Sequence, residues 1–174
     1  MVYKIRVVLD TKQDVIRTLL VDASSTLEDL HKLIANVFGF NGNEMASFYR
    51  ADDEWEQGEE IPLFSMDDSP NALCMSNTTI DKNIEDVGEK LIYVYDFFNM
   101  WTFYCELVGT INFTNEPLPK LVLTIGDIPE EAPEKEFKAD RAGKDEFDMD
   151  AFNDEFGDSQ DQFESLDNID FDKY

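Results

Sequence analysis

Among the residues whose side chains can perform acid–base or nucleophilic chemistry, we single out three that lie in apolar stretches: His31, Asp96 and Cys105. A buried carboxyl group with a raised pKa can act as an acid, and a cysteine becomes a nucleophile when a base lies beside it. His31 is the only histidine in the chain, so it is the one histidine available to activate Cys105. One hypothesis is therefore a degenerate small-molecule-binding or hydrolytic site around these three residues.

The residue patterns favour an ordinary structural role for each of them. His31 lies at the edge of an apolar helical arc, where a lone imidazole usually packs and forms one hydrogen bond. A metal site would need three or four ligands, and no second His or Cys is placed to help. Asp96 precedes a turn, so its carboxylate can accept hydrogen bonds from the backbone of Phe98 or Asn99.

A further candidate binding residue is Trp101, which lies with several tyrosines in the apolar stretch 91–108. Such rings can stack on a ligand, but aromatic cross-strand pairs are also ordinary sheet packing. In the acidic C-terminal part, Asp148 and Asp150 begin like a calcium loop, yet Phe152 stands in a ligand position and Asn153 where glycine is required. Without a phosphate-binding loop, zinc motif or nucleophile elbow, we expect no enzyme, no metal and no cofactor.

The charge restricts the possible partners. The chain has 39 acidic and 14 basic residues, which gives a net charge of −25. Nucleic acids and anionic membranes are bound mainly through Lys and Arg, so neither is an expected partner, whereas a basic protein is. The N-terminus lacks a signal-peptide pattern, and no apolar run approaches the ~20 residues that span a bilayer. We therefore expect a cytoplasmic protein with reduced cysteines.

The composition divides the chain at about residue 126. Residues 1–126 hold 21 acidic and 9 basic residues, and residues 127–174 hold 18 and 5, so the shorter part carries about half of the net charge. We expect 1–126 to be a single globular domain. The acidic, Phe-rich tail 127–174 has too little other apolar content to offset its ordering entropy and is predicted to be disordered.

Periodicity predicts the fold of the first part. Residues 2–9 alternate as a half-buried strand, and residues 15–21 form a second strand antiparallel to the first. Ser25 and Glu28 match a capping box for a helix over residues 25–38, which Gly39 ends. Later residues predict short strands, a helical piece at 84–87, and a central hairpin over 91–108. The fold class is α+β: a mostly antiparallel sheet with one main helix on a face, arranged as β-hairpin, helix and then β-meander.

Three stretches, residues 16–40, 45–48 and 91–101, together resemble the Ri-plasmid open-reading-frame-three-like family, whose members are also described as insertion-element passenger proteins. That family shares a T-L-x-x-L-H helix and a later Y-x-Y-D-F-G-D-x-W segment. The matching positions here are Thr26, Leu27, Leu30, His31, Phe38, Gly39, Tyr93, Tyr95, Asp96, Phe97 and Trp101. The resemblance implies the fold and a link to mobile elements, but no activity.

This sequence departs from the family pattern at its polar positions. Phe98-Asn99 replaces the Gly-Asp turn, Phe103 replaces a histidine, and residues 44–46 replace a His-Leu-His run. The family's Cys- and Pro-rich C-terminal segment has no counterpart here. If those histidines form a metal or catalytic site in the family, the resemblance implies that this chain has lost most of it.

The acidic tail offers a different function. Its phenylalanines are separated by acidic clusters and include the docking candidates Phe147, Phe152, Phe156 and Phe171. Phenyl rings can enter apolar pockets of a partner while carboxylates contact its basic rim. The leading hypothesis is a non-enzymatic interaction module that binds a basic protein through this tail. Alternatives are the degenerate site described above, mimicry of a nucleic acid by the carboxylates, and a tail that only keeps the protein soluble.

Overall fold

The computed structural model describes residues 1–134. Within them, a seven-stranded sheet packs against one α-helix, which confirms the predicted α+β class. The helix α1 is Leu27–Val37 and lies between the second and third strands. The strands are β1 (Val2–Leu9), β2 (Ile16–Asp22), β3 (Ala46–Ala51), β4 (Gln57–Pro62), β5 (Lys90–Tyr95), β6 (Trp101–Ile111) and β7 (Lys120–Ile125).

Every strand pair in the sheet is antiparallel, and the spatial order is β4-β3-β5-β6-β1-β2-β7. The β1–β2 hairpin and the β5–β6 hairpin are confirmed. The second half is not the simple meander that we predicted, because β5 pairs with β3 rather than β4, and β7 pairs with β2. The apolar β5 thereby takes an inner position, while the acidic β4 remains at an edge in contact with water.

The start of α1 differs by one residue from the prediction. Thr26, not Ser25, is the N-cap: its side chain accepts a hydrogen bond from the backbone of Asp29, whose carboxylate accepts one from the backbone of Thr26. The backbone carbonyl of Ser25 instead accepts from Ile80 N at 2.9 Å. Both residues match the capping pattern, and this tertiary contact keeps Ser25 outside the helix. Gly39, with φ +79°, ends the helix as predicted.

Two other local predictions were wrong. We assigned residues 51–60 to an acidic loop, but β4 begins at Gln57 and its first four residues are exposed. An edge strand tolerates charged side chains because they stay in solvent, so composition alone did not reveal it. The helical piece predicted at 84–87 is absent. Short 3₁₀ turns occur earlier instead, at Met75–Asn77 and Ile80–Lys82.

The core lies between α1 and one face of the sheet. β1 contributes Tyr3, Ile5, Val7 and Leu9 to it, in agreement with the predicted alternation. In β5 the residues of both faces are buried, as expected for a central strand. The register between β1 and β6 shifts between Lys4 and Ile5, at the level of Gly109, which bends the strand without ending it.

Beyond residue 126 the described chain still contacts the core, because Ile128 and Ala132 are partly buried against it. The boundary at 126 and the division into two parts stay predictions. The candidate docking residues Phe147, Phe152, Phe156 and Phe171 lie outside the described residues. In the part of the chain that the structure describes, no helix is long and apolar enough to cross a membrane.

Candidate functional site

His31 is a residue of α1 and is buried on the face of the helix that packs against the sheet. Its Nδ1 lies 2.6 Å from the phenol oxygen of Tyr93 on β5. Burial lowers the pKa of His31, and a hydrogen bond to the backbone of Gly42 acts in the opposite direction. His31 and Tyr93 share one buried hydrogen bond, whose direction is set by the histidine tautomer. Burial also raises the pKa of Tyr93 strongly, which keeps this phenol protonated.

The neighbouring phenol of Tyr95 holds the loop that follows α1. Its oxygen donates to Asn41 Oδ1 at 2.9 Å and accepts from Gly42 N at 3.1 Å. Among the described residues, every buried side-chain nitrogen or oxygen has a hydrogen-bond partner. The buried polar groups under the helix are therefore paired within the protein, and this arrangement stabilises the fold.

Cys105 is fully buried on β6, opposite Val7 of β1 and Leu91 of β5. Burial raises the pKa of its thiol, which disfavours the thiolate that a nucleophile requires. The hydrogen bond of His31 goes to Tyr93, so the imidazole is engaged away from the thiol. Although His31 and Cys105 both face the core, their arrangement lacks the paired base and nucleophile of covalent catalysis.

Asp96 lies elsewhere, in the turn between β5 and β6, with φ +61°. Its carboxylate accepts hydrogen bonds from the backbone of Phe98 at 3.1 Å and from Asn99 Nδ2 at 2.6 Å. These contacts hold the turn. Among the described residues, the side-chain hydrogen bonds of Asp96 stay within its own turn and that of His31 goes to Tyr93, so no hydrogen bond joins Asp96, His31 and Cys105. A shared site around the three residues stays a prediction.

Trp101 is the first residue of β6 and is buried at the end of the core where β5 turns into β6. Its ring centroid is 4.9 Å from that of Phe40, which follows the helix. Phe40 also contacts Tyr95 at 5.1 Å, and Phe38 meets Phe103 edge-on at 4.7 Å. The aromatic cluster thus joins the end of α1 to the central hairpin, and its rings bury one another instead of forming an open stacking surface.

A groove that the sequence did not reveal runs beside the exposed side of α1. It encloses about 460 Å³ and lies between the helix, the end of β2 and the loop before β7. Leu30, Leu33 and Ile80 form its apolar floor, with Leu118 and Pro119 as one wall. Helix periodicity predicts the position of Leu33, but only the tertiary structure brings Leu118, 85 residues later, to face it.

Carboxylates line the rim of this groove. Asp22 Oδ1 accepts from the backbone and hydroxyl of Ser24, and these hydrogen bonds lower its pKa, so that it is ionised at neutral pH. Asp29 Oδ2 accepts from Thr26. The second oxygen of each carboxylate accepts no hydrogen bond from a described residue. Lys32 also lines the groove, and an ion pair with Glu28 at 3.2 Å partly neutralises it.

No metal site accompanies these features: within residues 1–134, no group of three or more His, Cys, Asp or Glu side chains is arranged to hold a metal ion.

Residues 1–132 match the model of the plasmid pRiA4b ORF-3-like protein family. Among solved structures, the chain is similar to the crystal structure of the protein of unknown function MM3350 from Methanosarcina mazei Go1, with a TM-score of 0.60. The two are 18% identical, and the match covers 74% of this chain and 72% of that chain. A likeness at this identity shows the fold alone. No curated protein matches the chain in sequence.

Proposed function

The chain belongs to the plasmid pRiA4b ORF-3-like protein family, and from that premise we propose that it is a non-enzymatic interaction module that binds a basic protein. The family description and the structural relative specify no reaction, so the proposal depends on the charge and surface of this chain. We place the contacts at two features: the acidic, Phe-rich tail and the groove beside α1. We also propose a link to a mobile element, which is supported only by the plasmid in the family's description.

The observation that carries the proposal is the chemistry of the groove. Its apolar floor can bury an aliphatic or aromatic side chain, and the rim carboxylates of Asp22 and Asp29 can accept hydrogen bonds from Lys or Arg beside it. A buried apolar anchor within a polar rim is the usual anatomy of a protein interface. The net charge of −25 attracts a basic partner over a longer range and speeds association.

The alternative of a small-molecule or hydrolytic site has less support. It requires His31, Asp96 and Cys105 to converge, whereas His31 is hydrogen-bonded to Tyr93 and Asp96 fixes an exposed turn. The contacts that His31, Asp96 and Cys105 make are those of residues that stabilise the fold.

In the tail we propose Phe147, Phe152, Phe156 and Phe171 as the docking residues. Their rings would occupy apolar pockets of the partner while the intervening carboxylates contact its basic rim. Two attachment points in one chain would bind more tightly than either alone, since the second contact forms at a high effective concentration.

The test is affinity capture from the source cell with four forms of the protein. These are the full chain, a truncation after Glu134 that retains Ile128 and Ala132, the groove variant Leu33→Arg, and the control Met66→Arg. Met66 is 96% exposed and does not line the groove, so the control adds the same charge at an apolar position elsewhere.

We expect the full chain and the control to capture a protein rich in Lys and Arg, and we expect added salt to weaken this capture. The truncation and Leu33→Arg should each reduce it at least tenfold while their circular dichroism stays native. Equal capture by all four forms would contradict both contact sites. A captured partner that is a DNA-binding protein, and that DNA displaces, would support nucleic-acid mimicry instead.

A further inference from the structure

β7 is an apolar edge strand that the described residues leave open on both faces. Four of its six residues are large and hydrophobic, Leu121, Val122, Leu123 and Ile125, and each is 40–45% exposed. One side of the strand pairs with β2, and within residues 1–134 no strand lies beside the backbone groups of its other side. Natural proteins usually protect such an edge, because it is a template for another strand.

The structure holds this strand in place at its end. The guanidinium of Arg17, buried on β2, donates to the carbonyl oxygens of Ile125 at 2.8 Å and Gly126 at 3.2 Å. Gly126 has φ +74° and lies so close to Asp14 that a Cβ would meet its carbonyl oxygen at 2.0 Å. The edge is thus positioned before any partner arrives, which lowers the entropic cost of pairing.

The opposite edge of the sheet has the protection that β7 lacks. β4 carries exposed Glu59 and Glu60 and ends at Pro62, which has no N–H to donate. The one charged residue of β7 is Lys120, and it is paired with Glu116. Of the two edges of the sheet, β7 is therefore the one better suited to accept another strand.

We propose that β7 pairs antiparallel with β7 of a second copy of this chain. The sequence KLVLTI suits this arrangement, because a two-fold axis between Val122 and Leu123 places Val122 opposite Leu123 of the partner subunit and Leu121 opposite the partner's Thr124. No like charges face each other in this register, and the two Lys120 side chains lie at opposite ends. The same surface serves both copies, so the assembly closes as a dimer with a continuous fourteen-stranded sheet.

The net charge of −25 does not arise at this edge, because β7 carries no acidic side chain. Its own cation, Lys120, is paired with Glu116, and the next exposed cations, Lys4 and Arg6, lie on β1 and line a pocket of about 280 Å³ beside Val122 and Leu123. In the dimer, five strand spacings of about 4.8 Å separate the two β1 strands, or about 24 Å. That exceeds the Debye length of about 8 Å at physiological ionic strength, so these charges repel only weakly.

Sedimentation equilibrium of the full chain over a concentration series tests the proposal, which goes beyond the partner binding proposed above and does not depend on it. We expect a reversible monomer–dimer equilibrium between 20.1 kDa and about twice that mass. Val122→Lys should weaken dimerisation at least tenfold, because it places two cations beside the axis. Val87→Lys is the matched control, since Val87 is 60% exposed and lies outside β7.

A disulfide experiment locates the contact. In a Cys74→Ser background, a mixture of Val122→Cys and Leu123→Cys chains should cross-link under mild oxidation, because opposed Cα atoms in an antiparallel pair are ~4.5–5.5 Å apart. The control variant Val87→Cys, in the same Cys74→Ser background, should not cross-link. A chain that remains monomeric would overturn the proposal in favour of another occupant of the edge. A dimer that tolerates Val122→Lys, or an open-ended series of oligomers, would also overturn it.

Discussion

The imidazole Nδ1 of His31 and the phenol oxygen of Tyr93 are 2.6 Å apart, buried between α1 and β5. This hydrogen bond joins the helix to the middle of the sheet across 62 residues of sequence. It also explains why a histidine with apolar neighbours need not be a catalytic base, since its ring is already hydrogen-bonded within the core.

Removing either partner of this bond should destabilise the protein. We expect His31→Leu or Tyr93→Phe each to lower the free energy of unfolding by about 1–3 kcal/mol, because the remaining polar atom stays buried without its partner. The double variant should lose less than the sum of the two. Urea denaturation of the four proteins measures this coupling. Additivity within about 0.5 kcal/mol would show that the bond contributes little.

The pH dependence of stability should contain a contribution from His31. Its pKa is lowered in the fold mainly by burial, so the unfolded chain, with a histidine pKa of about 6.5, binds the proton more readily. Stability is therefore lost as pH falls below about 6.5, by at most ~1.4 kcal/mol per pH unit, and is unaffected by this group above about pH 7.5.

The control for this prediction is His31→Asn, which does not titrate. The difference in unfolding free energy between the two proteins should shrink or change sign from pH 7.5 to 5.5, while the carboxylates contribute almost equally to both. A difference that stays constant over this range would show that His31 titrates alike in the folded and unfolded chains.

Two glycines with the same backbone conformation should respond differently to alanine. Gly39 and Gly126 have φ +79° and +74°, but a Cβ on Gly39 meets no atom within 4 Å, whereas one on Gly126 meets Asp14 O at 2.0 Å. We expect Gly39→Ala to cost about 1–2 kcal/mol from the left-handed conformation alone. Gly126→Ala should cost more and should speed hydrogen exchange in β7. Equal losses of stability would contradict the contact with Asp14.

The two cysteines should differ in reactivity. Cys105 is buried and its thiol pKa is raised, whereas Cys74 is partly exposed and lies near Ser76. In the folded protein we expect a thiol reagent such as Ellman's to modify one cysteine rapidly, and Cys74→Ser to abolish this phase. Cys105 should react only on the timescale of unfolding. Rapid modification of Cys105 in the folded chain would indicate an activated thiol.

Much of the fold could be predicted because its signals are local. The alternation in β1, the amphipathic pattern of α1 and the left-handed Gly39 each depend on residues within a few positions, and all three were confirmed. The choice between Ser25 and Thr26 as N-cap could not be predicted. Both fit the pattern, and a hydrogen bond from Ile80, 55 residues away, distinguishes them.

The sequence by itself determined the acidic charge, the α+β class and the place of His31 at the edge of the apolar helix face, since composition and periodicity act locally, and its motifs determined the family. Its full burial was a finding of the structure. Only the tertiary structure decided which strand lies at each edge and which groups meet. β5 takes a central position because both its faces are apolar, and β7 joins the free edge of β2, where Arg17 holds it. The tertiary structure likewise brings Leu118 across the groove from Leu33, whereas the carboxylate of Asp96 is bonded locally to Phe98 and Asn99.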